Sequence, residues 1–183
     1  VWPALSATHQ TEIQVVEPLG LNWTNELIHE QFELEAGHIF LPRAVVSDAH
    51  GQVRVSQVTD VQRHDDGSIR AMKVWFRIDL SAGEKSKYNV TLGKGETAAS
   101  GIEVREHDGV LELCTDAPDR IGVRLPAGGR VYDWPRTFGD ELAPIQSLRL
   151  PSGRWVGRPR ITAPFRVKSY ETKIIHQGPL FVE

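Results

Sequence analysis

One stretch constrains this chain more than any other. In "RAMKVWFRIDL", residues 70–80, Met72, Val74, Phe76, Ile78 and Leu80 hold the even positions from 72 onward. Lys73, Trp75, Arg77 and Asp79 fill the odd positions between them. A period of two puts alternate side chains on opposite faces, so the stretch reads as a half-buried β-strand with one face on a core. Just upstream, Asp66-Gly67 supplies the permissive φ of a tight turn. Asp65 and Asp66 therefore read as turn residues and not as a site of chemistry.

The same grammar recurs. "GIEVREHDGVLELCTD" is a hairpin with Asp108-Gly109 as a two-residue loop of the type I′ kind. That register sets Val104 opposite Leu113 on the core side and Arg105 opposite Glu112 on the wet side. "SLRLPSGRWVG" reads as a second hairpin around Ser152-Gly153, with Leu150 opposite Trp155. A third, "RAVVSDAHGQVRVSQV", turns between Asp48 and Gly51. Further β-runs fall at 12–16, 25–34, 87–92, 121–125, 161–168 and 171–176. The best helical candidate, 25–37, contains the alternating "QFELE" and is assigned as strand. Strands every 8–12 residues, punctuated by Gly, Pro and Asp, predict an all-β antiparallel barrel or sandwich with little or no helix. At 183 residues the expectation is a single β-domain over 1–183. "PAGGRVYDWPRTFGDELAP", residues 126–144, reads as a long connection, and connections of that length are usually functional or interfacial.

Charge and cysteine narrow the functional classes. Twenty-one Lys and Arg against 24 Asp and Glu leave a formal charge of −3, which gives no electrostatic case for nucleic acid. No apolar run approaches the roughly 18 residues that span a bilayer. One cysteine, Cys114, excludes a disulfide framework and a thiolate metal site within this chain. The seven histidines show no i, i+4 ligand spacing, and only His64 beside Asp65-Asp66 suggests a metal, so neither metal nor cofactor is expected. Gly-x-Ser-x-Gly is absent, and "GKGETAASG" lacks phosphate-loop spacing. The aromatics carry more. Trp75 lies on the polar face of its strand between Lys73 and Arg77. Tyr132 and Trp134 sit in the 126–144 stretch with Arg130 and Arg136, and Trp155 precedes Arg158. Aromatic faces beside cations can stack on sugars or close over a charged ligand. Trp75, Tyr132, Trp134, Arg136, Trp155 and Arg158 are therefore the candidates for carbohydrate or interdomain contact. No residue is singled out as catalytic.

The order of features resembles the N-terminal β-domain of the exo-rhamnogalacturonan-lyase-like proteins, described as a RIFT barrel. The resemblance rests on "VVEPLGLNWTNELIHEQFEL", on "LPRAVVSDAHGQVRVSQVTDVQRHDDGSIRAMKVWFRIDLSAGEKSKYNVTLG" and on "HQGPLFVE". Within these, Asp66-Gly67-Ser68-Ile69-Arg70 and Gly178-Pro179-Leu180 match motifs of that family. The resemblance implies an extracellular or periplasmic polysaccharide lyase whose catalytic groups lie in a helical domain after the β-domain. This chain would then be a non-catalytic accessory domain acting with uronic-acid-containing glycans. Its partners would be that C-terminal catalytic domain and polysaccharide. The expectation that the native polypeptide continues past Glu183 follows also from "LFVE", which reads as a strand without a partner. The rival readings are a carbohydrate-binding module that works alone and a structural β-domain that assembles through an open edge.

Overall fold

The computed structural model describes residues 8–95, 101–115, 120–137, 144–157 and 166–183. The described chain is all-β. It has no helix, so none long and apolar enough to cross a membrane, and its strands form several antiparallel sheets. None of these sheets closes into a barrel. The contacts divide the chain into two compact units. The first is Val1–Ala99 with Gly178–Leu180, and the second is Ser100–Gln177 with Phe181–Glu183.

The first unit holds β1 (His9–Val16), β2 (Trp23–Glu33), β3 (Ala44–Asp48), β4 (Val53–Arg54), β5 (Ser56–Arg63), β6 (Ile69–Leu80) and β7 (Lys85–Leu92). One sheet runs β1-β7-β3-β4 and the other β2-β6-β5. The alternating stretch is β6, the centre of the second sheet, and its even residues are buried as the period requires. Met72, Val74 and Phe76 meet Val46, Val90 and Leu92 from the other sheet in one core. The 25–37 stretch is strand as far as Glu33, where β2 ends, and Asn25 takes the left-handed region where β2 bulges. The Asp-Asp-Gly-Ser turn is a corner. Asp66 accepts hydrogen bonds from the Ser68 backbone N–H and hydroxyl, and Gly67 takes φ 83°. The Ser68 hydroxyl holds Asp66 below the usual carboxylate range, assisted by the Ser68 N–H. His64 contacts the Leu34 carbonyl through Nε2 at 2.9 Å, so its ring serves the same corner.

Glu17 is a buried carboxylate that sequence patterning gave no reason to single out. It accepts from the backbone N–H groups of Leu19, Gly20 and Gly83 and from Trp23 Nε1, all within 3.1 Å. The Gly83 N–H leads in lowering its pKa from 4.5 to about 2, with burial opposing and Trp23 and Leu19 adding to the depression. One side chain thus ties the β1–β2 connection to the β6–β7 turn. Gln57, also buried, accepts from the Leu180 N–H at 3.0 Å. A Cβ at Gly178 would stand 2.3 Å from Gln57 Cδ, so a larger residue there would have to displace the Gln57 amide.

The second unit holds β8 (Ile102–His107), β9 (Val110–Thr115), β10 (Gly122–Pro126), β11 (Gly128–Thr137), β12 (Ser147–Arg149), β13 (Trp155–Val156) and β14 (Arg166–Thr172). A five-stranded sheet runs β13-β12-β10-β9-β8, and β11 pairs with β14 alone. The Asp108-Gly109 hairpin has the predicted register, with φ 50° and 75° at its two loop residues.

Four expectations are corrected. The β12–β13 hairpin pairs Arg149 with Trp155, not Leu150 with Trp155. Its loop is Pro151-Ser152-Gly153, with Gly153 at φ 82° and its N–H bonded to the Leu150 carbonyl, a three-residue turn in place of a two-residue one. Much of 126–144 is strand and not connection. Val131 and Tyr132 suit a strand, and Pro135 is tolerated because the ladder is interrupted between Val131 and Arg136. The runs at 161–168 and 171–176 give one strand, β14, across Ser169-Tyr170, while 161–165 lie outside the described residues. Finally, "LFVE" is partnered. Val182 bridges Gln177, and Glu183 exchanges backbone hydrogen bonds with His176.

Candidate functional site

The register of the five-stranded sheet sorts its side chains by face. Paired residues share a face, so Ile102, Leu113, Val123 and Leu148 lie on one side. That side carries a shallow apolar groove of about 520 Å³, to which Leu150, Pro151 and Val182 also contribute. The other side presents a row that crosses all five strands: Glu103, Cys114, Gly122, Arg149 and Trp155. A neighbouring row holds Arg105, Glu112, Arg124 and Ser147.

The first row is a trough. Its middle positions, Cys114 and Gly122, are small, while Glu103 stands at one end and Arg149 and Trp155 at the other. Three strand spacings separate Glu103 from Arg149, about 14 Å between their backbones. Gly122 keeps the floor open. A Cβ there would meet Cys114 Sγ at 2.7 Å and the Leu113 carbonyl oxygen at 2.9 Å. The cavity measures about 200 Å³ and is lined by Glu103, Arg105, Glu112, Cys114, Arg120, Arg149, Gly153 and Trp155. That is below the roughly 300 Å³ at which drug-sized sites begin, so it suits one sugar ring or a small charged group.

The charged groups around the trough are ordered by pairing. Glu103 accepts from Arg105 and from Arg120, the latter at 3.1 Å. Glu112 accepts from Arg124 Nε at 2.7 Å. Arg105, although opposite Glu112 in the ladder, turns to Glu103 instead, so the predicted cross-strand ion pair is replaced by Glu112–Arg124. Held by Glu112, the Arg124 guanidinium lies 4.1 Å from the centre of the Trp155 ring. Arg149 makes no ion pair among the described residues. Its Nε reaches only the Gly153 carbonyl, at 3.5 Å.

The structure does not gather the sequence candidates into one place. Trp155 is half-buried and walls the trough. Trp75 lies in the first unit, half-buried on β6. Its Nε1 donates to Thr59 Oγ1 at 2.8 Å, and the His29 ring sits 4.4 Å away, centre to centre. Its flanking cations are engaged too, Lys73 with Asp60 at 2.8 Å and Arg77 with the Asn25 carbonyl. Tyr132 is buried on β11, with the Arg130 guanidinium 6.0 Å from its ring centre. Trp134, on the same strand, is 82% exposed. The backbone of Arg136 pairs with Val167, while its side chain and all of Arg158 lie outside the described residues.

Sequence reasoning missed Glu103, Arg120, Arg124 and Arg149. The signal that could have found the last was Pro-Ser-Gly, which suits a three-residue loop with glycine in the left-handed position and so sets Trp155 beside Arg149. Among the described residues no three His, Cys, Asp or Glu side chains converge as a metal site. No family model matches the chain, and no curated protein matches its sequence.

Proposed function

We propose that the chain is a non-catalytic accessory domain of an extracellular or periplasmic carbohydrate-active protein, and that the trough is where it contacts glycan. The observation that carries this reading is the trough itself, with an indole wall, a floor of two small residues and guanidinium groups at both ends. Aromatic walls beside cations suit sugar rings, which offer an apolar face and a rim of acceptors. The resemblance to the β-domain of polysaccharide lyases supplies the class of partner, a glycan that contains uronic acid and a catalytic domain of the same polypeptide. In this reading the first unit is a RIFT-barrel-like support, two open sheets around one core.

Titrating a trigalacturonate while following tryptophan fluorescence tests the proposal. Saturable quenching that is lost in Trp155→Ala and kept in Trp75→Phe is expected. No response, or one that survives Trp155→Ala, sinks it.

A further inference from the structure

Arg149 stands apart from the other guanidiniums of the trough. Arg105 and Arg120 share Glu103, and Arg124 is bound to Glu112. Arg149 has a long contact to one carbonyl and no carboxylate among the described residues. It is nevertheless half-buried and lines the cavity. A Cβ at Gly153 would lie 3.5 Å from its Nη2, and one at Gly122 would lie 3.3 Å from its Cβ. The guanidinium therefore rests over the Pro-Ser-Gly turn. Among the described residues that line the cavity, three guanidiniums face two carboxylates, an excess of one positive charge.

We infer that the trough is an oxyanion site in which Arg149 is the residue that receives the charge, taking a planar carboxylate in two parallel N–H···O bonds. Arg makes this fork geometry, and Lys does not. The trough then selects ligands by charge before shape. Arg124, fixed across one face of Trp155, already covers part of the indole, which leaves the ring a wall more than a stacking platform. A neutral sugar would leave the Arg149 guanidinium without the acceptor the site is built to meet. This inference rests on the trough being a ligand site, and it adds which chemical group the site reads. The same chemistry is offered by a uronate carboxylate, a sulfate ester and a free inorganic anion, and these can be told apart by experiment.

The test is calorimetric titration of the full chain at low ionic strength with trigalacturonate, with its carboxyl-reduced counterpart and with inorganic sulfate. Wild type should bind the acidic trimer, and reduction of the carboxyls should weaken binding at least about tenfold, since hydrogen bonds to a charged group are the strong ones. Arg149→Gln should lose at least about tenfold for the acidic trimer with an unchanged melting temperature, because the side chain makes no ion pair to break. Arg149→Lys should recover only part of the loss. Equal binding of acidic and reduced trimers, both lost in Trp155→Ala, would overturn the charge assignment and leave the glycan reading standing. Acidic-trimer binding untouched by Arg149→Gln would overturn it as well. Binding of sulfate alone, abolished by Arg149→Gln, would keep the oxyanion site and remove the glycan. No binding of any probe would overturn both.

Discussion

Both units are built from hairpins with similar turn chemistry, yet they treat a tryptophan at a polar strand position in opposite ways. In the first unit Trp75 sits on the central strand of its sheet, where its indole N–H meets Thr59 and its ring meets His29. In the second, Trp155 sits on the edge strand β13, beside a row of small residues, and becomes the wall of a trough. The difference goes with how much apolar material the described residues of each unit enclose. Among the described residues, every large side chain that is fully buried belongs to the first unit. Among the described residues of the second, the buried hydrophobics are Leu111, Cys114 and Tyr132. A sheet backed by a dense core absorbs its odd-numbered residues into structure. A sheet with less enclosed keeps a face free for contact.

The largest expected effect sharpens this contrast. Phe76 is fully buried in the shared core of the first unit, and Phe76→Ala should cost about 3–5 kcal/mol. Leu111→Ala in the second unit should cost less than about 2 kcal/mol, because its site is less enclosed and can relax. Urea unfolding with near-ultraviolet circular dichroism measures both. Equal losses would mean that the second unit has a core as strong as the first, and the comparison would fail.

Next comes the pH response of the first unit. The folded pKa of Glu17, about 2, lies below its ordinary 4.5. A depressed folded value means that the carboxylate stabilises the fold fully above about pH 4.5, and that this contribution fades as pH falls toward 2. Wild type should therefore lose urea resistance steeply across that window. Glu17→Gln should start lower at neutral pH and fall less over the same range. Parallel curves would remove Glu17 as the clasp between the two connections.

A third effect is smaller and local to the trough. Gly153→Ala forces a Cβ onto a residue at φ 82°, a strain of about 1–2 kcal/mol, in the turn on which the Arg149 guanidinium rests. The thermal midpoint should fall slightly. Binding of the acidic trimer should weaken with it, although no ligand-contacting side chain has been removed. Unchanged binding would show that Arg149 does not depend on the turn beneath it.

How much of this was legible in the sequence depended on whether the period or the turn decided the outcome. The period placed β6, and with it the core, because five apolar residues in alternation allow only one arrangement. The Asp108-Gly109 loop fixed its hairpin because two residues of positive φ define the register. Pro151-Ser152-Gly153 was read one residue short, and in a strand that single step turns Trp155 to the other face. The trough was lost with it, since its row exists only in the correct register. Pro135 and the paired glycines hid β11, whose ladder is broken where the proline sits. Glu17 was illegible for another reason. Its four donors come from three places in the chain, and nothing periodic connects them.

The smallest effect tests whether Trp75 is as structural as its contacts indicate. Thr59→Val keeps the shape of the side chain and removes the oxygen that accepts from Trp75 Nε1. Thr59 is buried and Trp75 half-buried, so the indole N–H would lose its partner while retaining some access to water. The expected cost is about 1 kcal/mol, the usual net value of one such hydrogen bond. Trp75 emission should shift as its polar partner disappears, and glycan binding should stay at the wild-type level. Both outcomes are needed. A loss of binding in Thr59→Val would make the first unit part of the recognition surface, and the division between a unit that supports and a unit that contacts would no longer hold.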